Sequence, residues 1–552
     1  MRTVITMAIV AGCFPVTCLA DVISPSSFCK TNLGATAAQT ISRTAQGLNI
    51  RRSVVITNGD TPENAALDKK SFSFANTIGA IVKNSQTTPE EFVQSMIDSF
   101  SVNSAVNASV SLPLDVRSGE AKLKVADFLK GDPPLGLVPI GLFNRFDLAN
   151  NQWTHCGEHR VVYSFSNEDV PDGRFFLIFE AAVPNPVGDK EEDVAKRQLG
   201  CRPVAEFWAS LSTEDDVGAR AKKLSQFYYE GIEVAGVKIG PVLTADNLGL
   251  GTTGRGQIRG NLFVGSGVLW QLREWHVQLH GSKLRMNIET VKDNPLVQLY
   301  ADAPVIASAP GSPSDAGKQL VEDFQGKFIN AELSQSFVRG LLDPEITRGR
   351  TSIGFAEFLL SGGGFGFAEG HLPDRFNQFQ STSQSNIDVP EKQIGNKFKA
   401  AVTERLKRKD IVKDVSASDQ EEWQFVLQRA NAMTCSGCHQ TATGQFVAPE
   451  VKWPQDAGFV HITEAGELSA ALKDHFLPAR RSNLAEHLCK GAPLPIFSQV
   501  AAERALVGKV TDFTKAAKSD SSLTGQLDEA IKNLRNFEAS QPGAFSRFRS
   551  VH

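Results

Sequence analysis

The stretch Leu269–His280, LWQLREWHVQLH, decides how the middle of this chain is read. Trp275, Val277 and Leu279 alternate with His276, Gln278 and His280, and a period of two belongs to a strand with one apolar face. On a helix, His276 and His280 would share a face and resemble a metal pair. On a strand, at ~3.3 Å per residue, side chains four positions apart are ~13 Å from each other, too far to hold one ion.

The same signature extends outward. LGLVPIGLF, HRVVYSFS, RFFLIFEAAV and QIRGNLFVG are alternating or β-branched and aromatic runs, all falling between Leu135 and Val291, and together they predict a β-rich body. PVAEFWASL and RAKKLSQFYYEGI interrupt it with helical patterns. Before it, TTPEEFVQSMIDSF offers Thr88 as N-cap, Pro89 in the first turn, and Glu90 and Glu91 facing the helix dipole. After it, SGGGFGFAEG and a polar run ending near Gly395 read as a linker. EEWQFVLQRANAM and LTGQLDEAIKNLRNF then carry apolar residues at helical spacing. The expected fold class is α+β: a helical lead segment over 21–130, a β-rich body over 131–365, a linker over 366–395 and a helical C-terminal domain over 396–552.

Composition narrows the function. The chain has 552 residues and a formal net charge of -4, so it lacks the clustered basic excess of a nucleic-acid binder. The short run RLKRK at Arg405–Lys409 reads as a solvated helix face. MRTVITMAIVAGCFPVTCLA has the layout of a secretory signal over residues 1–20, cleaved after Ala20. VAGC offers the competing reading of lipid attachment at Cys13. No later run approaches the ~18 apolar residues of a membrane span, and the expected location is periplasmic or secreted.

Cys435-Ser436-Gly437-Cys438-His439 is the chemically specific motif. Two thioether bonds can anchor the vinyl edges of one porphyrin while the next residue offers its imidazole to the iron. The expected cofactor is therefore one covalent haem c on Cys435 and Cys438, with His439 as proximal ligand. Cleavage of the signal and commitment of those two thiols leave Cys29, Cys156, Cys201 and Cys489 for two disulfides, with Cys156–Cys201 a reasonable pair because both lie in the β-rich region. A disulfide between Cys435 and Cys438 beside an unrelated histidine is the bland alternative. GLGTTG at Gly249–Gly254 matches dinucleotide spacing but continues into β residues, and reads as a loop. His155 and His159 read as strand-surface residues or neighbours of a disulfide.

FVLQRANAMTCSGCHQ resembles the first helix and haem-binding turn of class I c-type cytochromes. The resemblance implies a cytochrome c-like helical C-terminal domain, with Cys435 and Cys438 carrying the thioethers and His439 the proximal ligand. GLFNRFDLANNQWTHCGEHRVVYSF, FFLIFEAAVPNP and LWQLREWHV also resemble segments of large exported bacterial proteins that end in such a motif; that likeness bears on architecture and supplies no reaction. Those cytochromes usually supply a methionine to the iron's other face, whereas this chain has none beyond Met433. The candidates for a sixth ligand are His461, His475 and His487, or none. The choice falls on His461, which follows Phe459 and Val460; His475 and His487 lie among charged residues in helical patterns that more often face water. The expected function is electron transfer or a haem oxidoreductase, with a redox protein or small-molecule substrate as partner. The alternative is a haem-free secreted binding or scaffold protein stapled by disulfides.

Overall fold

The computed structural model describes, with interruptions, residues within 48–332, 374–381, 394–406, 444–452 and 461–489, together with position 428. The first twenty residues, Cys435–His439, the helical pattern around 523–537 and, but for position 428, that around 421–433 lie outside the described residues.

One antiparallel sheet organises the rest. Its strands are β1 (Val55–Thr57), β2 (Leu137–Arg145), β3 (His155–Phe165), β4 (Phe175–Pro184), β5 (Gln257–Leu262), β6 (Gln271–His280), β7 (Lys283–Glu289) and β8 (Gln380–Ser381). β1 to β7 neighbour one another in chain order, a meander, and β8 pairs with β6 at Leu272 and Arg273, in line with β7. The alternation that opens the sequence is realised: Trp275 and Val277 are fully buried in the core while His276 and His280 face the other way.

Four helices accompany the sheet: α1 (Phe74–Val82), α2 (Pro89–Ser99), α3 (Arg202–Ser210) and α4 (Val217–Ser225); α2 and α3 fall on TTPEEFVQSMIDSF and PVAEFWASL, α4 covers only the first part of RAKKLSQFYYEGI, and α1 lies within the helical lead segment without a pattern of its own. Thr88 caps α2, accepting from the Glu91 N–H while the Glu91 carboxylate accepts from the Thr88 N–H, a reciprocal capping box. Phe74, Phe92, Met96, Val204 and Trp208 from these helices meet Val161, Tyr163, Leu177, Phe179, Ile258 and Trp275 from the sheet in one core. Burial of this apolar surface, at ~25 cal/mol per Å², is the main favourable term. The Cys156 and Cys201 sulfurs lie 2.02 Å apart in a disulfide that ties β3 to the start of α3. Cys201 contributes from a helix junction rather than from a strand.

Beyond the sheet, α5 (Ala316–Glu332) and α6 (Asn396–Leu406) lie side by side. Asp302 accepts from the N–H groups of Asn396 and Lys397 at 2.8 Å each, capping α6 from a distant part of the chain. Within the stretch that composition marks as a linker, Phe376 and Asn377 are fully buried and β8 joins the sheet.

The expectation of an α+β body followed by a separate helical, class I cytochrome c-like domain is overturned. The described residues form a body built on one antiparallel sheet, and the C-terminal segment that is described belongs to it. Helix α7 (Leu477–Cys489) contributes Leu484, Ala485 and Leu488 to the same core, and Arg202 on α3 donates to the Leu488 carbonyl at 2.9 Å. No cytochrome-like helical domain occurs among the described residues. The reason is physical: helical periodicity reports that a stripe must be buried, not which surface buries it.

The β7 edge shows how helix and sheet are locked. Its outward N–H groups at Leu284 and Met286 donate to Thr87 Oγ1 at 2.6 Å and Ser95 Oγ at 2.9 Å, so α2 and the residue preceding its cap satisfy an edge that would otherwise invite pairing. Ser95→Ala should leave the Met286 donor buried without this acceptor and lower stability by about 1–3 kcal/mol. Urea denaturation checks this, and a shift below ~0.5 kcal/mol would show that the edge needs no such acceptor.

Candidate functional site

The face of the sheet opposite the core is charged. In register, Arg145 on β2 faces Glu158 on β3, Arg160 on β3 faces Glu180 on β4, Glu180 faces Gln257 on β5, and Arg259 on β5 faces Glu274 on β6. Directly opposed residues in antiparallel strands share a face, so these side chains form one continuous row. Arg160 contacts Glu158 at 2.6 Å and Glu180 at 2.9 Å. Arg259 contacts Glu274 at 2.6 Å and Glu180 at 3.5 Å. Gln257 donates to Glu180 at 2.8 Å. All are buried, so each charge depends on its partners rather than on water.

The row ends where α7 docks. Arg145 donates to Asp147 through Nε and Nη2, the latter at 3.0 Å, and Arg480 on α7 approaches the same carboxylate at 3.9 Å. Burial would push the Asp147 carboxyl up, but Arg145 and Arg480 together hold it below the usual range. Both guanidiniums are pulled below their ordinary value, first by burial and then, for Arg480, by the charge of Arg145. A tight backbone brings the parts together. Gly157 has φ +81°, and a Cβ there would overlap the Arg145 carbonyl, so only glycine lets the β3 irregularity between His155 and Glu158 pack against β2.

Aromatic residues wall this end. Trp153, 3% exposed, has φ +52°, a conformation that costs on the order of 1–3 kcal/mol and persists only where surroundings enforce it. Asn185 donates to its carbonyl at 2.7 Å, and the His487 ring of α7 stacks on its indole at 5.2 Å and meets the Phe146 ring at 4.7 Å.

The sequence-derived site residues are placed unevenly. Cys435, Cys438 and His439 lie outside the described residues. His461 is exposed, its N–H donating to Ser469 Oγ at 3.2 Å, while its neighbour Ile462 is buried and lies against Gly141 of β2. His487, expected to face water, is 3% exposed. Its ring packs against Trp153 and Phe146 instead. His276 and His280 are not brought together; His276 sits 3.3 Å from Glu289 and His280 is exposed.

His155 and His159 are both buried rather than on the strand surface, and His159 is the disulfide neighbour of the alternative reading. The Trp208 indole donates to its Nδ1 at 3.0 Å, which leaves Nε2 to carry the proton and donate to the Cys156 carbonyl at 3.3 Å. Burial pushes its pKa down to about 3. The charged row was missed because Asp147, Glu158 and Glu180 look scattered along the chain. The available signal was the i, i+2 spacing of Glu158 and Arg160 inside otherwise apolar strand patterns.

No family model, curated protein or solved structure matches this chain.

Breaking the row by Arg160→Met leaves Glu158 and Glu180 without their shared cation and should cost about 3–5 kcal/mol. A loss under ~1 kcal/mol in urea titrations would mean the row is not held by charge pairing.

His159 gives a pH signature. Its folded pKa of about 3 lies below the ordinary 6.5, so the unfolded chain binds a proton in that window that the folded chain refuses. Its contribution is fully present above pH ~6.5 and is lost as pH falls toward 3, by up to about 1.4 kcal/mol per pH unit. In His159→Gln the stability-versus-pH slope between pH 6 and 4 should flatten by about one proton; an unchanged slope would contradict the burial of a neutral imidazole.

Proposed function

We propose that this chain is an exported redox protein carrying one covalently attached haem c, held by Cys435 and Cys438 and ligated by His439. The observation that carries the reading is the donor set itself: two thiols three positions apart followed at once by an imidazole, chemistry that fits thioether attachment and proximal ligation. The disulfide between Cys156 and Cys201 supports an oxidising compartment, where such attachment takes place and where periplasmic or secreted proteins fold.

Bound haem would supply one-electron chemistry, as carrier or oxidoreductase. The residues of the chain do the holding and the screening. Cys435 and Cys438 fix the group, and His439 orients it through its imidazole. His461 remains the proposed sixth ligand: it is exposed, on a segment anchored to the sheet by Ile462 and by the Glu464–Arg174 ion pair at 2.8 Å. His487 is already packed between Trp153 and Phe146, which favours His461 over it. The partner is a redox protein or a small-molecule substrate.

A second reading, a haem-free secreted binding or scaffold protein, draws on the same disulfide and on the size of the body. The two part on colour. Expressed with a cytochrome c maturation system, the full chain should show Soret absorbance that survives denaturation, and Cys435→Ser with Cys438→Ser should abolish it. A colourless wild type whose two thiols are joined to each other would establish the second reading instead.

A further inference from the structure

Away from the main sheet the chain builds a second one of three strands, in the order Ala307–Ser308, Val110–Pro113, Ser104–Asn107. Neighbours run antiparallel, and the hydrogen-bond pattern fixes which backbone groups of the outer strand, Ser104–Asn107, look away from the sheet. Ser104 opposes Pro113, Ala105 opposes Leu112, Val106 opposes Ser111 and Asn107 opposes Val110. One step earlier the Leu114 N–H donates to the Asn103 carbonyl at 2.8 Å, so Asn103, and by alternation Ala105 and Asn107, turn their N–H and C=O groups inward. Ser104 and Val106 turn theirs outward, and no strand pairs with them among the described residues. Proteins guard such an edge with charge, proline, a bulge or a covering segment, because an open row of N–H and C=O groups is a template for another strand. At the β7 edge of the main sheet Thr87 and Ser95 do this work. The outer strand here reads SAVN, without charge or proline, and its register is unbroken. It is also uncovered: Ser104 is exposed, and Val106, at 59%, is the most exposed large hydrophobic residue described, with Val102 exposed on the same line at 38%.

We infer that Ser104–Asn107 is the contact through which two copies of this chain associate, their outer strands pairing antiparallel about a two-fold axis at Ala105. The edge fits its own copy. A two-fold axis at Ala105 sets Ser104 against the partner's Val106, both with outward groups, so each such pair exchanges both of its hydrogen bonds. The axis falls on a close pair of the other kind, with Cα atoms ~4.5 Å apart, where the small Ala105 side chain meets the partner's Ala105 without crowding. Like charges do not meet, since the strand carries none. Two sheets of three strands joined in this way make one of six, within the usual range, whereas three strands of two to four residues are a marginal sheet alone. A strip of four residues lies below the ~1,200 Å² of a standard interface, so the association is weak and set by concentration. It does not depend on the haem.

The full chain, as purified, is followed by sedimentation velocity over a ~100-fold range of concentration, because dimerisation obeys mass action. The sedimentation coefficient should climb with concentration from that of a monomer toward that of a dimer. Val106→Lys puts a charge on the edge at an exposed position and should weaken the association about tenfold or more, with an unchanged circular dichroism spectrum. If that spectrum changes, Ser104→Lys, also at an exposed position, takes its place. Ala105→Cys reads the register, since the axis would bring the two introduced thiols within disulfide reach. Under mild oxidation they should join across copies, with the bridge located by mass spectrometry, and faster than in Leu279→Cys, whose position is exposed on another part of the surface. A chain that stays monomeric throughout overturns the proposal. So does a dimer unmoved by the lysine variant, or one in which Ala105→Cys joins no faster than Leu279→Cys.

Discussion

A sheet strand must present two faces, and β3 commits them to opposite chemistry. Val161, Tyr163 and Phe165 enter the aromatic core, while Glu158 and Arg160 point the other way into a place equally closed to water. Charges in such a place hold only in pairs, because removing each ion from water costs several kcal/mol that attraction to a neighbour must return. Every neighbouring strand then has to answer β3 at a fixed register position: Arg145 from β2, Glu180 from β4, and through Glu180 the Gln257 and Arg259 of β5 and Glu274 of β6. A one-residue slip anywhere in the meander would put charges into the core and phenylalanines against the arginines. The row therefore acts as a register lock for the sheet.

The other packing features follow from this division. Helices α1 to α3 occupy the apolar face, and α3 is joined to β3 twice, by the Cys156–Cys201 disulfide and by the Trp208–His159 hydrogen bond. α7 works at the boundary between the faces. Its Leu484 and Leu488 enter the core, its His487 stacks on Trp153, and its Arg480 reaches the charged row. A helix that meets both faces at once is held by constraints of different kinds, apolar and electrostatic, and each restricts where the other can sit. This is why the C-terminal segment that is described reads as a wall of the body.

For a chain proposed to carry an electron-transfer group, this arrangement has a consequence. The segment from His461 to Glu464 is anchored to β2 by Ile462, which lies against Gly141, and to Arg174 by Glu464. Fixed charges in a low-dielectric setting tune potentials and proton affinities far more than exposed ones do.

Much of the fold was legible in the sequence. The period of two over Leu269–His280 and the runs before it determined the strands, because alternation is a local consequence of backbone geometry. Thr88, Pro89, Glu90 and Glu91 determined where α2 starts, because a cap acts within one turn. The spacing of Cys435, Cys438 and His439 determined the chemistry proposed for them, because it resides in adjacent residues. Tertiary structure alone decided the rest. That Arg145, Glu158, Glu180, Arg259 and Glu274 form one row depends on strand order and register, which bring together residues more than a hundred positions apart. That α7 closes on the body rather than on a helical domain depends on which surface its apolar stripe finds, and periodicity carries no address. That His487 is buried against Trp153 and Phe146 while His461 is exposed, against the reading of their neighbours, has the same cause: adjacent residues do not say which distant surface a side chain meets.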